Sequence, residues 1–507
     1  MTGGDQGLPR AATNTKLARL GRHLLLFCVY GMAGAVLVSI AGFIWLGVSG
    51  KPDLKPWHTA ALKEEFTRAD TSRVTSLEDY RKLEDRLFEE LQREVYQRTA
   101  ESDLRALNRY SSGSRADPSV TGENANRTFE LEADEPRAGV LLIHGLTDSP
   151  YMFRALAEKL HERGCWVVAL RLPGHGTAPS ALVTADWRDW AAAVRMAARD
   201  LRQRLPADTP MYLAGFSTGA ALSVEYALAR LEGEDLPRVD GLILLSPAIG
   251  VDPLAWLAIW QTRFATLPGL GKMAWLDLIP EYDPYKYNSF PVMAGHQIYT
   301  VTEVIDERIA RLSANGPIRG FPRTLVFQSV ADATVSPLAV VQVFLGQLAA
   351  EGHELVVYDI NRLADAEPLL RPDARLPAER LLSGADRPFA VTLITNESEQ
   401  SLKLIALHRP SHGLVGAGEP LDLTWPTGVF SLSHAALPIS PDDPIYGAAR
   451  RPGTHRVYLG KVELLGELGL LAMPANALIR LRFNPFFAYE ERRIEEFLAL
   501  SEGGGNR

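Results

Sequence analysis

Residues Met211-Tyr-Leu-Ala-Gly-Phe-Ser-Thr-Gly-Ala220 join an apolar run directly to a helix-forming run of small residues, with Gly215-Phe-Ser-Thr-Gly219 as the hinge. The spacing predicts a strand, a sharp turn and a helix. A serine at the tip of such a turn occupies a strained backbone conformation, so positions two residues either side must be free of bulky side chains. Gly215 and Gly219 stand at those positions. Ser217 then projects from the carboxyl end of a strand toward the amides and positive dipole end of the following helix. A hydroxyl that has to become an alkoxide benefits from both.

Working outward, strands and helices alternate from Ala138 onward, which predicts a parallel sheet with helices on both faces. The strand segments are 138–143, 165–170, 211–215, 240–245, 324–330 and 354–360. Helical segments at 151–162, 185–204, 218–231 and 337–350 lie between them. The alternation lapses between Pro247 and Pro322, where Trp256, Trp260, Phe264, Trp275, Tyr282, Tyr285, Tyr287 and Phe290 accumulate. A lid over about 248–322 fits that place, its aromatics lining an acyl channel or forming a core of their own. A second insertion, about 361–424, carries two strand patterns around Asn396-Glu-Ser-Glu-Gln400 and reads as a β-hairpin. A last helix runs from about Pro485 to Leu500, capped by Asn484, with the charges of Glu490-Glu-Arg-Arg493 as its solvated face.

A serine nucleophile needs a base, a group to orient the base, and donors for an oxyanion. The first strand ends in Leu141-Leu-Ile-His-Gly-Leu146, whose turn can aim the Leu146 amide at the site, with the Thr218 amide as second donor. His144 reads as a support for that turn. His175, between two glycines, reads as a turn residue. The acid expected after the strand at 324–330 is Asp332, with Asp359 as its rival. No histidine occurs from Glu354 to Leu407, so the base has to come from beyond Leu407. His408, His412 and His434 are available there. His434, in Phe430-Ser-Leu-Ser-His-Ala-Ala-Leu-Pro438, has the turn-forming neighbours a loop base needs.

Taken together, His144-Gly-Leu146, Leu172-Pro-Gly-His-Gly-Thr177, Gly215-Phe-Ser-Thr-Gly219 and the Asp332 loop resemble the α/β-hydrolase superfamily, in its bacterial carboxylesterase and monoacylglycerol-lipase-like branch. The resemblance covers roughly 138–360 and resumes near His434. It implies an α/β-hydrolase fold and a serine hydrolase acting on carboxylic esters, including lipid esters, through Ser217, Asp332 and His434, with no metal or organic cofactor. Thioesterases and acyltransferases of the superfamily share this constellation. A catalytically silent, membrane-tethered scaffold is the alternative from another class.

The N-terminus sets the location. Leu24–Val48 holds no charged residue over 25 positions, about 37 Å of helix against the ~30 Å hydrocarbon core. Arg10, Lys16, Arg19 and Arg22 precede it, so the positive-inside rule puts residues 1–23 in the cytoplasm. The implied order is a transmembrane helix at 24–48, a helical spacer and linker at 51–137 with helices at 51–70 and 76–109, and a catalytic domain at 138–507 on the periplasmic side of a bacterial inner membrane. A net charge of −8 leaves no footprint for nucleic acid. Membrane and ester substrate are the partners this reading supplies, and it names no protein partner. Cys28 and Cys165 are too few for a disulfide framework.

Overall fold

The computed structural model describes residues 11–104, 107–120, 122, 124–250, 265, 267–363, 376–382, 386–461 and 480–500. Its twelve strands are β1 (Phe129–Leu131), β2 (Ala138–Ile143), β3 (Cys165–Leu170), β4 (Met211–Phe216), β5 (Gly241–Leu245), β6 (Trp275–Asp277), β7 (Phe290–Pro291), β8 (Arg323–Ser329), β9 (Glu354–Tyr358), β10 (Ala390–Asn396), β11 (Lys403–Arg409) and β12 (Glu419–Thr424). All but β6 and β7 join one sheet in the order β1-β3-β2-β4-β5-β8-β9-β10-β11-β12. From β3 to β10 every neighbouring pair is parallel, and β1, β11 and β12 run antiparallel to their neighbours. This is the α/β-hydrolase arrangement, extended at one edge.

The strands are apolar on both faces because helices cover both. Alternate residues divide the sheet into two cores. Leu141, Leu213, Leu244 and Val326 face the helices Trp187–Arg204, Thr218–Leu231 and Val292–Leu312. Leu142, Ala214, Ile243 and Phe327 face the helices Arg154–Glu162 and Phe487–Phe497. Each fully buried Leu, Ile or Phe contributes about 1.5–3 kcal/mol, so the central strands anchor everything at their carboxyl ends. Cys165 opens β3, and burial pushes its thiol up to about 12, which makes it an inert core residue.

The N-terminal helix Ala11–Val48 contains Gly21–Val48, long and apolar enough to cross a membrane, with a mean hydropathy of 2.3 over its 18-residue window. After it the expected helix at 51–70 is absent. Only Pro56–Thr59 and a 3-10 turn at Arg68–Asp70 are helical. Pro52 and Pro56 interrupt the ladder, and the backbone amide of Lys55 donates to His58 Nδ1 (3.0 Å), closing a local turn instead. The helix expected at 76–109 runs from Leu77 to Glu94, with Ser76 accepting from the Asp79 amide as its cap. Its apolar stripe packs Leu77, Tyr80 and Leu83 on the hydrolase core. Beneath it the buried Arg171 side chain pairs with Glu84 (2.8 Å) and Glu65 (3.0 Å), and Tyr80 Oη donates to the Arg171 carbonyl (2.8 Å). The 111–137 stretch is not all linker: β1 pairs with β3 along it.

The 361–424 insertion departs furthest from expectation. Its hairpin, β10 and β11, forms where it was expected but is part of the main sheet, because β10 lies parallel to β9 from Ala390↔Glu354 to Ile394↔Tyr358. β12 adds a further strand that its charged, proline-containing sequence conceals. Glu490 also departs from the solvated reading. It is buried, and both Tyr358 Oη (3.3 Å) and Asn484 Nδ2 (3.0 Å) donate to it.

Candidate active site

Ser217 links β4 to the helix Thr218–Leu231 at φ 52°, a left-handed value that side chains rarely adopt. Its conformation is held from both sides. Its amide donates to the Leu245 carbonyl (2.9 Å), and its carbonyl accepts from the amides of Ala221 and Ala248 (3.1 Å each). The two glycines are needed sterically. A Cβ on Gly219 would lie 1.9 Å from the Ile143 carbonyl oxygen, and one on Gly215 would lie 2.4 Å from the Ala220 nitrogen. The helix start is therefore pressed against the end of β2, where the 144–148 turn begins.

That turn is built as the sequence suggested. The Leu172 amide donates to His144 Nε2 (3.0 Å), which leaves the proton on Nδ1 to donate to the Gly145 carbonyl (2.8 Å). With both nitrogens engaged, His144 is a strut. Burial, with His175 nearby, holds it well below the usual imidazole range. His175 donates from Nδ1 to the Pro173 carbonyl (2.9 Å) between Gly174 and Gly176, both at positive φ. Among the described residues, neither the Leu146 nor the Thr218 amide donates to a protein acceptor. Neither N–H is taken up within the described fold.

Asp332 and His434 meet. His434 Nδ1 donates to Asp332 Oδ2 at 2.8 Å, and both residues are more than nine-tenths buried. The other carboxylate oxygen accepts from the amides of Thr334 (2.8 Å) and Val335 (3.1 Å), and Gln328 Nε2 donates to Oδ2 (3.0 Å). Burial works against ionisation of Asp332. The His434 hydrogen bond and charge, with the two amides, outweigh it and hold the carboxyl below its ordinary value. The His434 ring packs on Phe216, centroids 4.9 Å apart, one residue before Ser217. Phe216 also meets the 144–148 turn: a Cβ on Gly145 would lie 2.9 Å from its ring.

The competing residues are placed elsewhere. Asp359 is fully buried, bonded by Thr395 Oγ1 (2.7 Å) and by Arg362. His412 is exposed and donates to Asp386 (2.7 Å), and His408 bonds Thr392 on the neighbouring strand (3.0 Å).

His434 reaches its place although three strands intervene. Ser329 Oγ donates to the Leu432 carbonyl (2.8 Å), and Asn361 donates from its amide to Phe430 O (2.8 Å) and from Nδ2 to Val429 O (3.0 Å). The loop is thereby tied to the carboxyl ends of β8 and β9. Sequence reasoning passed over Gln328, Ser329 and Asn361. The signal was present in Gln328-Ser329, two polar residues that end a buried strand after the apolar run Leu325-Val-Phe327.

Of the expected aromatic residues at 248–322, Trp275, Tyr282, Tyr285 and Tyr287 are buried in local packing, Tyr285 stacking on Tyr151 at 3.7 Å. Trp256, Trp260 and Phe264 fall outside the described residues. Two contacts fasten this segment to the 144–148 turn: the Tyr287 amide donates to Thr147 O (2.8 Å), and Lys286 pairs with the buried Asp148 (2.5 Å).

The family profile described as "Serine aminopeptidase, S33" matches residues 134–361. Over 123 residues the chain is 31% identical to a thermostable monoacylglycerol lipase of Bacillus sp. (strain H-257), covering 24% of this chain and 46% of that protein. It is 28% identical over 120 residues to phospholipase YtpA of Bacillus subtilis (strain 168), covering 24% and 44%. The match thus spans less than half the length of either curated relative. Among solved structures, one of the metagenome-derived lipolytic enzymes LipS and LipT aligns over 51% of this chain and 96% of its own, with 26% identity and a TM-score of 0.37.

Proposed function

Because the chain belongs to the α/β-hydrolase superfamily, we propose that it is a membrane-anchored serine hydrolase that cleaves carboxylic esters through Ser217, His434 and Asp332. The observation that carries this reading is the 2.8 Å hydrogen bond between His434 and Asp332, set against the ring of the residue that precedes Ser217. In the mechanism, Ser217 Oγ attacks the ester carbonyl carbon while His434 Nε2 takes its proton. Asp332 keeps the Nδ1–H tautomer in place and stabilises the imidazolium. The carbonyl oxygen becomes an oxyanion held by the Leu146 and Thr218 amides. Collapse returns the proton to the leaving alcohol and leaves an acyl-serine, which water hydrolyses with His434 again as base.

Lipid esters are the substrate class we favour. The two curated relatives bear the names monoacylglycerol lipase and phospholipase, and the helix Gly21–Val48 would keep the enzyme at a supply of such esters. With residues 1–23 in the cytoplasm, residues 51–137 become a docked spacer and the catalytic domain from 138 works on the periplasmic side, with 248–322 as its lid.

The test is reaction with a fluorophosphonate probe together with hydrolysis of p-nitrophenyl esters from two to sixteen carbons. Labelling and turnover that vanish in Ser217→Ala, with a long-chain optimum, support the reading. Turnover of alanine p-nitroanilide in place of esters would move it to peptide hydrolysis. Absence of labelling in folded protein would leave a tethered scaffold.

A further inference from the structure

A cavity of about 810 Å³ lies between the segment that leaves the N-terminal helix, residues 54–67, the stretch 173–190 and the stretch 265–293. Its volume is within the roughly 300–1,000 Å³ of ligand clefts. Neither Ser217, Leu146 nor His434 lines it. Leu54, Ala60, Leu62, Val183, Trp275 and Met293 make its wall predominantly apolar. Polar side chains also line it, among them Glu65, Asp186 and Asp189, which are engaged by Arg171, Arg188 and the Arg68 amide. Ser180 is 8% exposed, and its hydroxyl has no hydrogen-bond partner. A buried donor left unpaired costs about 1–3 kcal/mol, and a ligand acceptor that reached this hydroxyl would relieve that cost.

The place of the cavity selects the ligand. Leu54 follows the last helical residue, Val48, by six positions, at most about 22 Å of extended chain. The cavity wall is also fastened to the foot of the helix. Lys272 Nζ donates to the Lys51 carbonyl (3.0 Å), Lys51 Nζ donates to the Trp275 carbonyl (2.5 Å), and a Cβ on Gly47 would touch the Met273 side chain at 3.2 Å. Trp45 and Leu46 at the helix end and Leu267 and Leu276 beside the wall are all at least half exposed. Exposed apolar side chains therefore stand on both sides of the junction between the spanning helix and the cavity wall. Tryptophan at that level is the usual mark of a membrane interface.

We propose that this cleft holds the acyl chain of a bilayer glycerolipid, its ester carbonyl accepting from Ser180, at a site separate from Ser217. The proposal rests on the reading that the N-terminal helix spans a membrane. It adds a lipid site that the N-terminal extension builds with its own residues, and bound lipid would brace residues 54–67 against 265–293.

Photolabelling tests it. Full-length protein carrying Ser217→Ala is placed in phosphatidylcholine nanodiscs containing a phosphatidylcholine with a diazirine in its sn-2 chain, and crosslinked peptides are mapped. The expected result is labelling of both the 24–48 helix and the cleft stretches 54–67 and 180–185. Ala60→Trp, which fills the cleft from a half-buried position, should reduce cleft labelling at least fivefold and leave helix labelling unchanged. On the Ser217 background, Ala60→Trp should keep p-nitrophenyl acetate turnover within twofold, separating this site from the ester chemistry. Helix labelling without cleft labelling, or cleft labelling indifferent to Ala60→Trp, overturns the lipid site alone. Labelling of neither overturns it together with the membrane anchor.

Discussion

Replacing Asp332 by asparagine tests the site with little risk to the fold. The carboxylate accepts four hydrogen bonds: two from the Thr334 and Val335 amides on Oδ1, and two from Gln328 Nε2 and His434 Nδ1 on Oδ2. An amide oxygen can keep the first two. An amide nitrogen in place of Oδ2 would face two donors, and each has an escape. Gln328 Oε1 is buried without a partner, so a flip of its side-chain amide turns a clash into a hydrogen bond. His434 can accept only by moving its proton to Nε2, the nitrogen that must take the proton of Ser217. Folding should therefore survive, with a melting temperature within a few degrees of wild type, while the base is locked in the wrong tautomer. The equivalent change in a Ser-His-Asp enzyme costs about 10⁴ in kcat, or roughly 5.5 kcal/mol of transition-state stabilisation. We expect a 10³–10⁴-fold fall in kcat for p-nitrophenyl butyrate at unchanged far-ultraviolet circular dichroism. A loss under tenfold in folded protein would refute the assignment of Asp332 and return Asp359 to consideration.

Gly219→Ala should give no active soluble enzyme, because its Cβ would be driven into the Ile143 carbonyl at 1.9 Å; soluble yield and probe labelling read this directly. Lys286→Met should lower stability to urea by about 2–3 kcal/mol, since it strands the buried Asp148 carboxylate, and Asp148→Asn added to it should recover most of the loss. His58 and His175 are buried as neutral imidazoles, with burial pushing each down to about 3. The unfolded chain then binds more protons than the folded one, so stability should fall as pH drops from about 6.5 toward 3. The slope approaches roughly 1.4 kcal/mol per pH unit for each group, and urea midpoints at pH 7, 6, 5 and 4 measure it. Stability flat over that range would mean that the two rings are charged in the fold.

What could be read in advance followed the reach of each signal. The β4 strand, the Ser217 turn and its helix are specified by ten consecutive residues, and the steric demands of the turn leave only glycine at two of them. The parallel strands announce themselves because burial on both faces makes them continuous apolar runs. The place of Asp332, in the loop after such a strand, was legible in the same way. The 51–70 segment misled because its helix-forming residues carry no tertiary information, and Pro52, Pro56 and the ring of His58 decide the local geometry. Glu490 misled for the related reason that a charged letter looks solvated, whereas Asn484 and Tyr358 wait for it beneath the sheet. β12 was concealed because an edge strand needs few apolar residues: in Glu-Pro-Leu-Asp-Leu-Thr only the leucines pack against the body.

The position of His434 shows why such an insertion can be tolerated. A parallel sheet ends in an edge strand whose outer hydrogen-bonding groups are unsatisfied, and β9 would be that edge if the chain turned straight to its histidine. Here β10 pairs with β9 in register along its whole length, β11 and β12 follow by antiparallel return, and the new edge is short and charged. The addition grows sideways, away from the carboxyl ends of β4, β8 and β9 where the chemistry is assembled. The chain must then come back across three strands, and it does so as the loop 425–433, held by Ser329 and Asn361 at the ends of β8 and β9. Those two side chains set the end point of the return, and the number of strands inserted before it becomes immaterial to the His434–Asp332 distance. Loss of either anchor should consequently weaken the hydrogen bond between His434 and Asp332 even though neither side chain touches the pair.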